Sequence, residues 1–273
     1  DLTLRVNRRR TSVGRYLTLL KEKGVQAHQV GASAVRLARA VNVAHIPGFA
    51  EGWVSVQDAG AQMAAELVHR YLPTSAAGVQ PRVLDACAAP GGKTAHLLEL
   101  FDCDVVALEI DPARIGRINE NVQRLGLTAT VICADAAQLE KWRPLARHEQ
   151  PFDAILLDAR CSASGIVRRH PDIPWQRRAS DIEQLVVEQR KLLQCLWSQL
   201  RCGGIMVYCT CSVFHAEGVQ QIEHFIQRHN DAALLTPLLQ LLPKKDESAD
   251  WQEGKLPLDH DGFFYAVLQK ANG

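Results

Sequence analysis

No stretch of the sequence is apolar over the roughly 18–20 residues that a membrane-spanning helix needs. Nor does a charged segment followed by an apolar core open the chain, so no export signal is read there. The first residue is Asp1 and not Met, which predicts a piece of a longer chain. No Cys-x-x-Cys pair occurs among the eight cysteines, which removes the most common closely spaced metal-binding pair. A chain of 273 residues can build its own core and has no need of a disulfide scaffold. Free thiols in a reducing, cytoplasmic setting are the expectation. Internal repeats and low-complexity tracts are also lacking.

What is present is an uneven charge on a near-neutral chain. The net charge is +1, yet the first forty or so residues are basic and the stretch 231–261 is acidic. A basic lobe of this kind suits nucleic acid. Within it, alternation over 2–7 predicts a strand, Thr11 or Ser12 caps a helix ended by Gly24, and 25–30 and 34–41 read as two further strands. Arg5, Arg8, Arg9, Arg10 and Arg15 are either phosphate contacts or a solvated basic face. A short strand at 53–57 precedes a helix capped by Asp58, and the Pro-, Ser-, Ala- and Gly-rich segment 73–81 reads as a linker.

Beyond the linker the pattern becomes regular. Strands are expected at 82–86, 105–110, 130–134 and 154–157, with helices at 92–101, 112–125 and near 137–146 between them. Such alternation predicts a parallel sheet covered by helices. A long helix follows at 182–200, a strand at 205–208, a helix at 216–228, a polar loop over 241–261 and an apolar strand at 263–268. The expected organisation is a basic α+β (βαββ) RNA-binding lobe over 1–57 and an α/β, Rossmann-like domain over 58–273.

The turn Asp85-Ala86-Cys87-Ala88-Ala89-Pro90-Gly91-Gly92-Lys93-Thr94 joins a strand to a helix N-terminus, where backbone N–H groups can meet a polar ligand. A triphosphate loop needs GxxxxGK[ST], and Cys87 replaces its first glycine. A dinucleotide loop needs G-x-G-x-x-G, which is missing. S-adenosylmethionine carries no phosphate, and an acid after the second strand would accept its ribose hydroxyls. Glu109 stands there, Asp135 follows the third strand as an acceptor for the adenine amino group, and Asp158 closes the fourth. Four successive strands ending in acids (Asp85, Glu109, Asp135, Asp158) favour this methyl-donor cofactor. Cys87, Ala88, Ala89, Pro90, Gly91, Gly92, Lys93, Glu109, Asp135 and Asp158 are the expected cofactor-binding residues; for Lys93 a solvated helix face is the alternative.

The same turn, together with Leu157-Asp158-Ala159-Arg160-Cys161-Ser162 and Tyr208-Cys209-Thr210-Cys211-Ser212, resembles the Sun/Fmu family of RNA (cytosine-5) methyltransferases. Gly52-Trp53-Val54-Ser55-Val56-Gln57-Asp58, Arg168-Arg169-His170-Pro171-Asp172-Ile173 and Asp261-Gly262-Phe263-Phe264-Tyr265 extend the likeness along the whole chain. They point to the family's bacterial small-subunit (16S) rRNA branch, whose members usually carry an N-terminal helical domain similar to the antitermination factor NusB. The resemblance implies a class I S-adenosylmethionine-dependent methyltransferase sheet and an RNA partner. Arg160 departs from the proline usual before the first cysteine, and Glu109 from the usual Asp. A DNA cytosine methyltransferase, which uses a Pro-Cys nucleophile, fits the Thr-Cys pair less well. An RNA-binding protein with a degenerate core is the remaining alternative, supported by Arg160.

Methylation at C5 of cytosine requires a thiolate to add at C6 first. Residue chemistry does not order Cys161 and Cys211. The resemblance implies that Cys211 is the nucleophile and Cys161 assists product release, with Asp158 at the N3/N4 edge of the base. Cys87, Cys103, Cys133, Cys195, Cys202 and Cys209 are expected to be packing residues, and a metal site at Cys209, Cys211 and His215 lacks further ligands. Arg168, Arg169, Arg177 and Arg178 with Trp175 suit a splayed RNA strand; a charged loop capping the next helix is the other reading.

Overall fold

The computed structural model describes residues 2–73, 79–146, 150–246 and 250–271. Most of the expected linker, at 74–78, lies outside them, as does part of the polar loop at 247–249. The N-terminal lobe contains β1 (Leu2–Val6), α1 (Val13–Glu22), β2 (Ala27–Gln29), β3 (Ala34–Leu37) and β4 (Val54–Val56). Its antiparallel sheet has the order β2-β3-β1-β4. Ser12 caps α1 by accepting from the Arg15 N–H, as the sequence predicts. Leu4 and Val6 share one face of β1 and are buried with Tyr16 and Leu20 of α1.

The opposite face of β1 carries Arg5, and this corrects its expected role. Arg5 is 0% exposed. It reaches across to the main domain, where Nε and Nη2 donate to Glu99 at 2.8 Å each and Nη1 donates to the Gly92 carbonyl at 2.7 Å. The two-residue period of the strand turns this arginine away from solvent, so it is a tie between lobes and not a phosphate contact.

The main domain begins with α2 (Ala59–Tyr71) and β5 (Arg82–Asp85), then α3 (Gly92–Leu100), β6 (Asp104–Glu109), α4 (Pro112–Arg124) and β7 (Thr130–Cys133). Next come α5 (Leu139–Trp142), β8 (Phe152–Asp158), α6 (Ile173–Gln176), α7 (Ala179–Trp197), β9 (Leu200–Thr210) and α8 (Val219–Ile226). The chain ends with β10 (Ala232–Leu234), β11 (Leu239–Leu241), β12 (Lys244–Lys245), β13 (Asp259–His260) and β14 (Phe263–Lys270). The sheet order is β10-β14-β9-β8-β5-β6-β7, with β11 also on β14. Strands β5 to β9 run parallel and β14 is antiparallel to β9. This is the Rossmann-like α/β fold expected.

Both faces of the sheet are covered. Val83, Val105, Leu156 and Val207 pack with α2 and α3, whereas Leu84, Leu108, Ile155, Leu157 and Tyr208 pack with α5, α7 and α8. That is why these strands read as continuous apolar runs. Strands β10 to β13 and the single-turn α6 escaped the sequence analysis, because two to four residues are too few to show a period. The helix expected near 137–146 is one α-turn, and Pro144 lies in the 3-10 turn that replaces the rest.

Replacing Arg5 by Met leaves Glu99 buried and unpaired. Urea unfolding should show a loss of about 3–5 kcal/mol, largely recovered when Glu99→Leu is added.

Candidate active site

Strands β5 and β8 lie side by side at the point where the order of the sheet reverses, which is where open α/β sheets bind ligands. The turn after β5 is pinned by Ala86 N–H donating to Leu156 O at 2.9 Å and Ala88 N–H to Leu108 O at 2.8 Å. Gly91, at φ +94°, caps α3, and a Cβ there would stand 3.0 Å from Ile118 Cα. A side chain is excluded twice over, by conformation and by space.

Asp85 is buried beneath this turn. Thr94 Oγ1 donates to its Oδ2 at 2.6 Å, while Oδ1 has no partner. Burial, only partly offset by Thr94, pushes its pKa up to about 6. Glu109, 4% exposed, accepts from Ala89 N–H at 3.2 Å and Asp111 N–H at 3.0 Å, with Arg114 Nη1 at 3.4 Å. It thus ties the first turn to the end of β6. Asp135 accepts from Ala137 N–H at 2.9 Å and Gln138 Nε2 at 3.0 Å within its own turn. Each carboxylate oxygen has two acceptor positions, so Asp135 and Glu109 Oε1 keep capacity for hydroxyl or amino donors. The orphaned Asp85 oxygen and these acceptors fit a ligand rich in such donors.

Lys93 Nζ lies 2.7 Å from Asp158 Oδ2, and Cys209 Sγ donates to Asp158 Oδ1 at 3.4 Å. Burial pulls the Lys93 pKa down, but the charge of Asp158 and its hydrogen bond to Lys93 outweigh it and the net shift is upward. Lys93 therefore stays charged beside the acid and is no solvated helix face. Cys209 is fully buried, and burial raises its thiol pKa well above the ordinary value. The Cys87 thiol is raised by burial as well.

The cysteines separated along the chain meet in space: Cys161 Sγ and Cys211 Sγ are 3.4 Å apart. Their loops are laced together by Gly165 N–H donating to Cys211 O at 2.9 Å and Val213 N–H to Ser164 Oγ at 3.0 Å. The hydrogen bond with Cys211, followed by burial, raises the Cys161 pKa well above the ordinary thiol range. Burial and the contact with Cys211 thus disfavour the Cys161 thiolate. The Arg160 carbonyl accepts from Gln189 Nε2 at 2.9 Å, which fixes the loop path where proline is missing. Among the described residues, no group of three or more His, Cys, Asp or Glu side chains can hold a metal ion.

The expected RNA-contacting arginines divide. Arg168 is bonded to Asp261 and Asp259, and Arg169 to Asp261 and, at 2.9 Å, to Asp58. Both remain exposed, but they also serve inside the chain: Asp58, Asp259 and Asp261 converge there, and Arg168, Arg169 and, at Asp259, Arg36 pair with them. Arg8, Arg9 and Arg10 are exposed, though Arg9 pairs with Asp102 at 2.6 Å. Arg177 and Arg178 are exposed beside the Cys161 loop, Arg177 Nε donating to Ser162 O at 3.1 Å. Trp175, between the two groups, is 91% exposed.

Residues 76–269 match the family described as 16S rRNA methyltransferase RsmB/F, and residues 1–44 its ferredoxin-like domain. The chain belongs to the RsmB/F family. Proteins named ribosomal RNA small subunit methyltransferase B from Vibrio vulnificus and Vibrio cholerae are each 44% identical to it, over 98% of this chain. The chain spans 59% and 58% of their lengths. A methyltransferase homologue from Pyrococcus horikoshii superposes with a TM-score of 0.75 at 25% identity, covering 98% of this chain and 86% of that one. NSun6 from the same organism, solved with SFG, shares the fold at a TM-score of 0.74 and 18% identity, over 100% of this chain and 91% of its own.

The sequence analysis missed Glu217, which is 0% exposed and bonded to the serine after each site cysteine. The signal was the repeated Cys-Ser pair, at Cys161-Ser162 and Cys211-Ser212.

Asp85 supplies a pH test. Its folded pKa exceeds the unfolded value, so the folded protein binds the proton more tightly and the stability penalty is full above about pH 6. Asp85→Asn should be more stable than the parent at pH 8 by about 2–3 kcal/mol, a gap that closes as pH falls toward about 4. Urea unfolding at both pH values checks this.

Proposed function

We propose that this chain methylates C5 of a cytosine in small-subunit (16S) rRNA, with S-adenosylmethionine as methyl donor and Cys211 as covalent nucleophile. The 3.4 Å approach of Cys161 and Cys211 beside the Lys93–Asp158 pair carries this reading. Membership of a family described by 16S rRNA methylation supports the substrate class.

The cofactor's place is the switch-point crevice, where the 87–93 turn offers backbone groups and Glu109 and Asp135 offer acceptors for hydroxyl and amino groups. Bound there, S-adenosylmethionine supplies an electrophilic methyl group. Asp158, bordering both halves of the site, accepts from the N4 amino edge of the base. Lys93 keeps positive charge next to it.

Cys211 Sγ adds to C6 of the cytosine, and the new S–C6 bond gives C5 the electron density of an enamine carbon. Once C5 is methylated, removal of its proton to a base restores the ring as the S–C6 bond breaks. The Cys161 thiol, held protonated and in contact with Cys211, is placed to donate to that sulfur as it departs. Sequence chemistry alone left the cysteines unordered; Cys161 is buried while Cys211 is partly exposed, which favours Cys211 as the thiol that meets the base.

The base must leave any helical stack to meet a thiol and a methyl donor together. Exposed Arg177, Arg178 and Trp175 beside the Cys161 loop, with Arg8, Arg9 and Arg10 on the N-terminal lobe, suit the phosphates and splayed bases of that strand.

Cys211→Ala should lower methyl transfer to rRNA by at least about 10⁴-fold, with cofactor affinity by calorimetry nearly unchanged. Cys161→Ala should accumulate a protein–RNA adduct that survives a denaturing gel. A normal methylation rate in Cys211→Ala would contradict the proposal.

A further inference from the structure

Glu217 lies on the 3-10 turn His215–Glu217, wholly buried. An ionised carboxylate so placed costs several kcal/mol unless each oxygen is satisfied. Four neutral donors satisfy it. Ser162 N–H at 2.8 Å and Gln189 Nε2 at 3.1 Å reach Oε1; Ser162 Oγ at 2.5 Å and Ser212 Oγ at 2.6 Å reach Oε2. Among the described residues no lysine or arginine forms a salt bridge with it.

The donors are the residues next to the two site cysteines. Ser162 follows Cys161 and Ser212 follows Cys211, so one carboxylate grips both loops. The grip is braced from three sides. Tyr208 Oη donates to the Glu217 carbonyl at 2.8 Å, fixing the turn to β9. Gln189 of α7 also holds the Arg160 carbonyl, and Gln221 of α8 donates to Gln189 Oε1 at 2.9 Å. The network thus runs from two helices through Glu217 to the pair of thiols. A nearby carboxylate also opposes ionisation of Cys161, after the larger effects of Cys211 and burial.

We propose that Glu217 is a positioning residue that sets the Cys161–Cys211 register and, through it, the rate of nucleophilic addition, without touching RNA or cofactor. The catalytic half of this statement rests on the function proposed above; the register half does not. Covalent catalysis requires its groups within about 0.5 Å of the productive arrangement; the Gly165–Cys211 and Val213–Ser164 bonds join the loops further along, and Glu217 ties them at the residues next to the thiols. Glutamate suits the tie because an ionised carboxylate is acceptor-only and can serve all four donors at once. A glutamine can keep the contact by reversing the serine hydroxyls, whereas alanine removes the shared acceptor, leaving the Ser162 N–H without it and the two hydroxyls only each other and Ser164.

The register can be read without RNA. Diamide, an azo oxidant, takes two electrons and two protons from a thiol pair, becoming the hydrazine as one S–S bond forms. Sulfurs 3.4 Å apart need to close only to about 2.05 Å. The rate of the Cys161–Cys211 crosslink, identified by peptide mapping of the intact chain, therefore measures their alignment. Glu217→Ala should slow crosslinking and single-turnover methylation about tenfold each, and Glu217→Gln only about threefold, with cofactor KM within about twofold of the parent. Should Glu217→Ala not fold, as judged by circular dichroism, Ser212→Ala takes its place with an expected slowing of about threefold. A crosslinking rate within about twofold of the parent in the folded variant, whatever its activity, overturns the proposal. A parent protein that crosslinks in a Glu217-dependent way yet methylates no RNA contradicts the proposed function and leaves the register claim standing.

Discussion

The site depends first on the parallel pairing of β8 with β9. Their register sets Asp158 opposite Cys209, and the chain leaves both strands at the same edge of the sheet. Cys161 therefore stands three residues beyond the end of β8 and Cys211 one beyond the end of β9, and thiols 50 positions apart in sequence come within 3.4 Å. A register slip by one residue would turn the side chains of β9 to the other face and separate the pair. The core on both faces of the sheet, from Leu156 and Val207 to Leu157 and Tyr208, is what forbids that slip. Packing far from the chemistry thus fixes where the chemistry can occur.

Charge is distributed along that edge with equal economy. Asp85, Glu109, Asp135 and Asp158 all stand at strand ends, yet they are held differently. Asp85 is buried against a threonine and disfavours ionisation; Asp158 is compensated by Lys93; Glu109 is steadied by backbone N–H groups and Arg114. A row of like charges is tolerated because each finds its own partner. The same principle acts beneath the N-terminal lobe, where Arg5 and Glu99 form a bidentate pair directly behind the helix that carries Lys93. The lobe and the turn after β5 are consequently one mechanical unit.

The fold class, the turn after β5 and the two cysteines were legible in the sequence because each has a local signature: apolar runs of strand length, glycines at a tight turn, and a Cys-Ser pair beyond a strand. Three features were not. Arg5 belongs to a basic cluster, and only its bonds to Glu99 and Gly92 of α3 show that the strand is covered on both faces. Arg168 and Arg169 stand in a basic run, and only the folded chain brings Asp58 and the distant Asp259 and Asp261 against them. Glu217 sits in no motif of its own, and the repeated Cys-Ser pair signals it only once loops 50 residues apart are known to meet. Long-range partners decide the role of a charged residue, and a sequence window does not contain them.

The central claim is that this arrangement methylates C5 of cytosine in small-subunit rRNA. Bisulfite sequencing of unmodified 16S rRNA, incubated with the protein and S-adenosylmethionine, tests it most directly. The account predicts protection of a discrete cytosine that depends on both protein and methyl donor. Conversion of every cytosine under those conditions, with the protein folded and binding the methyl donor, would contradict it.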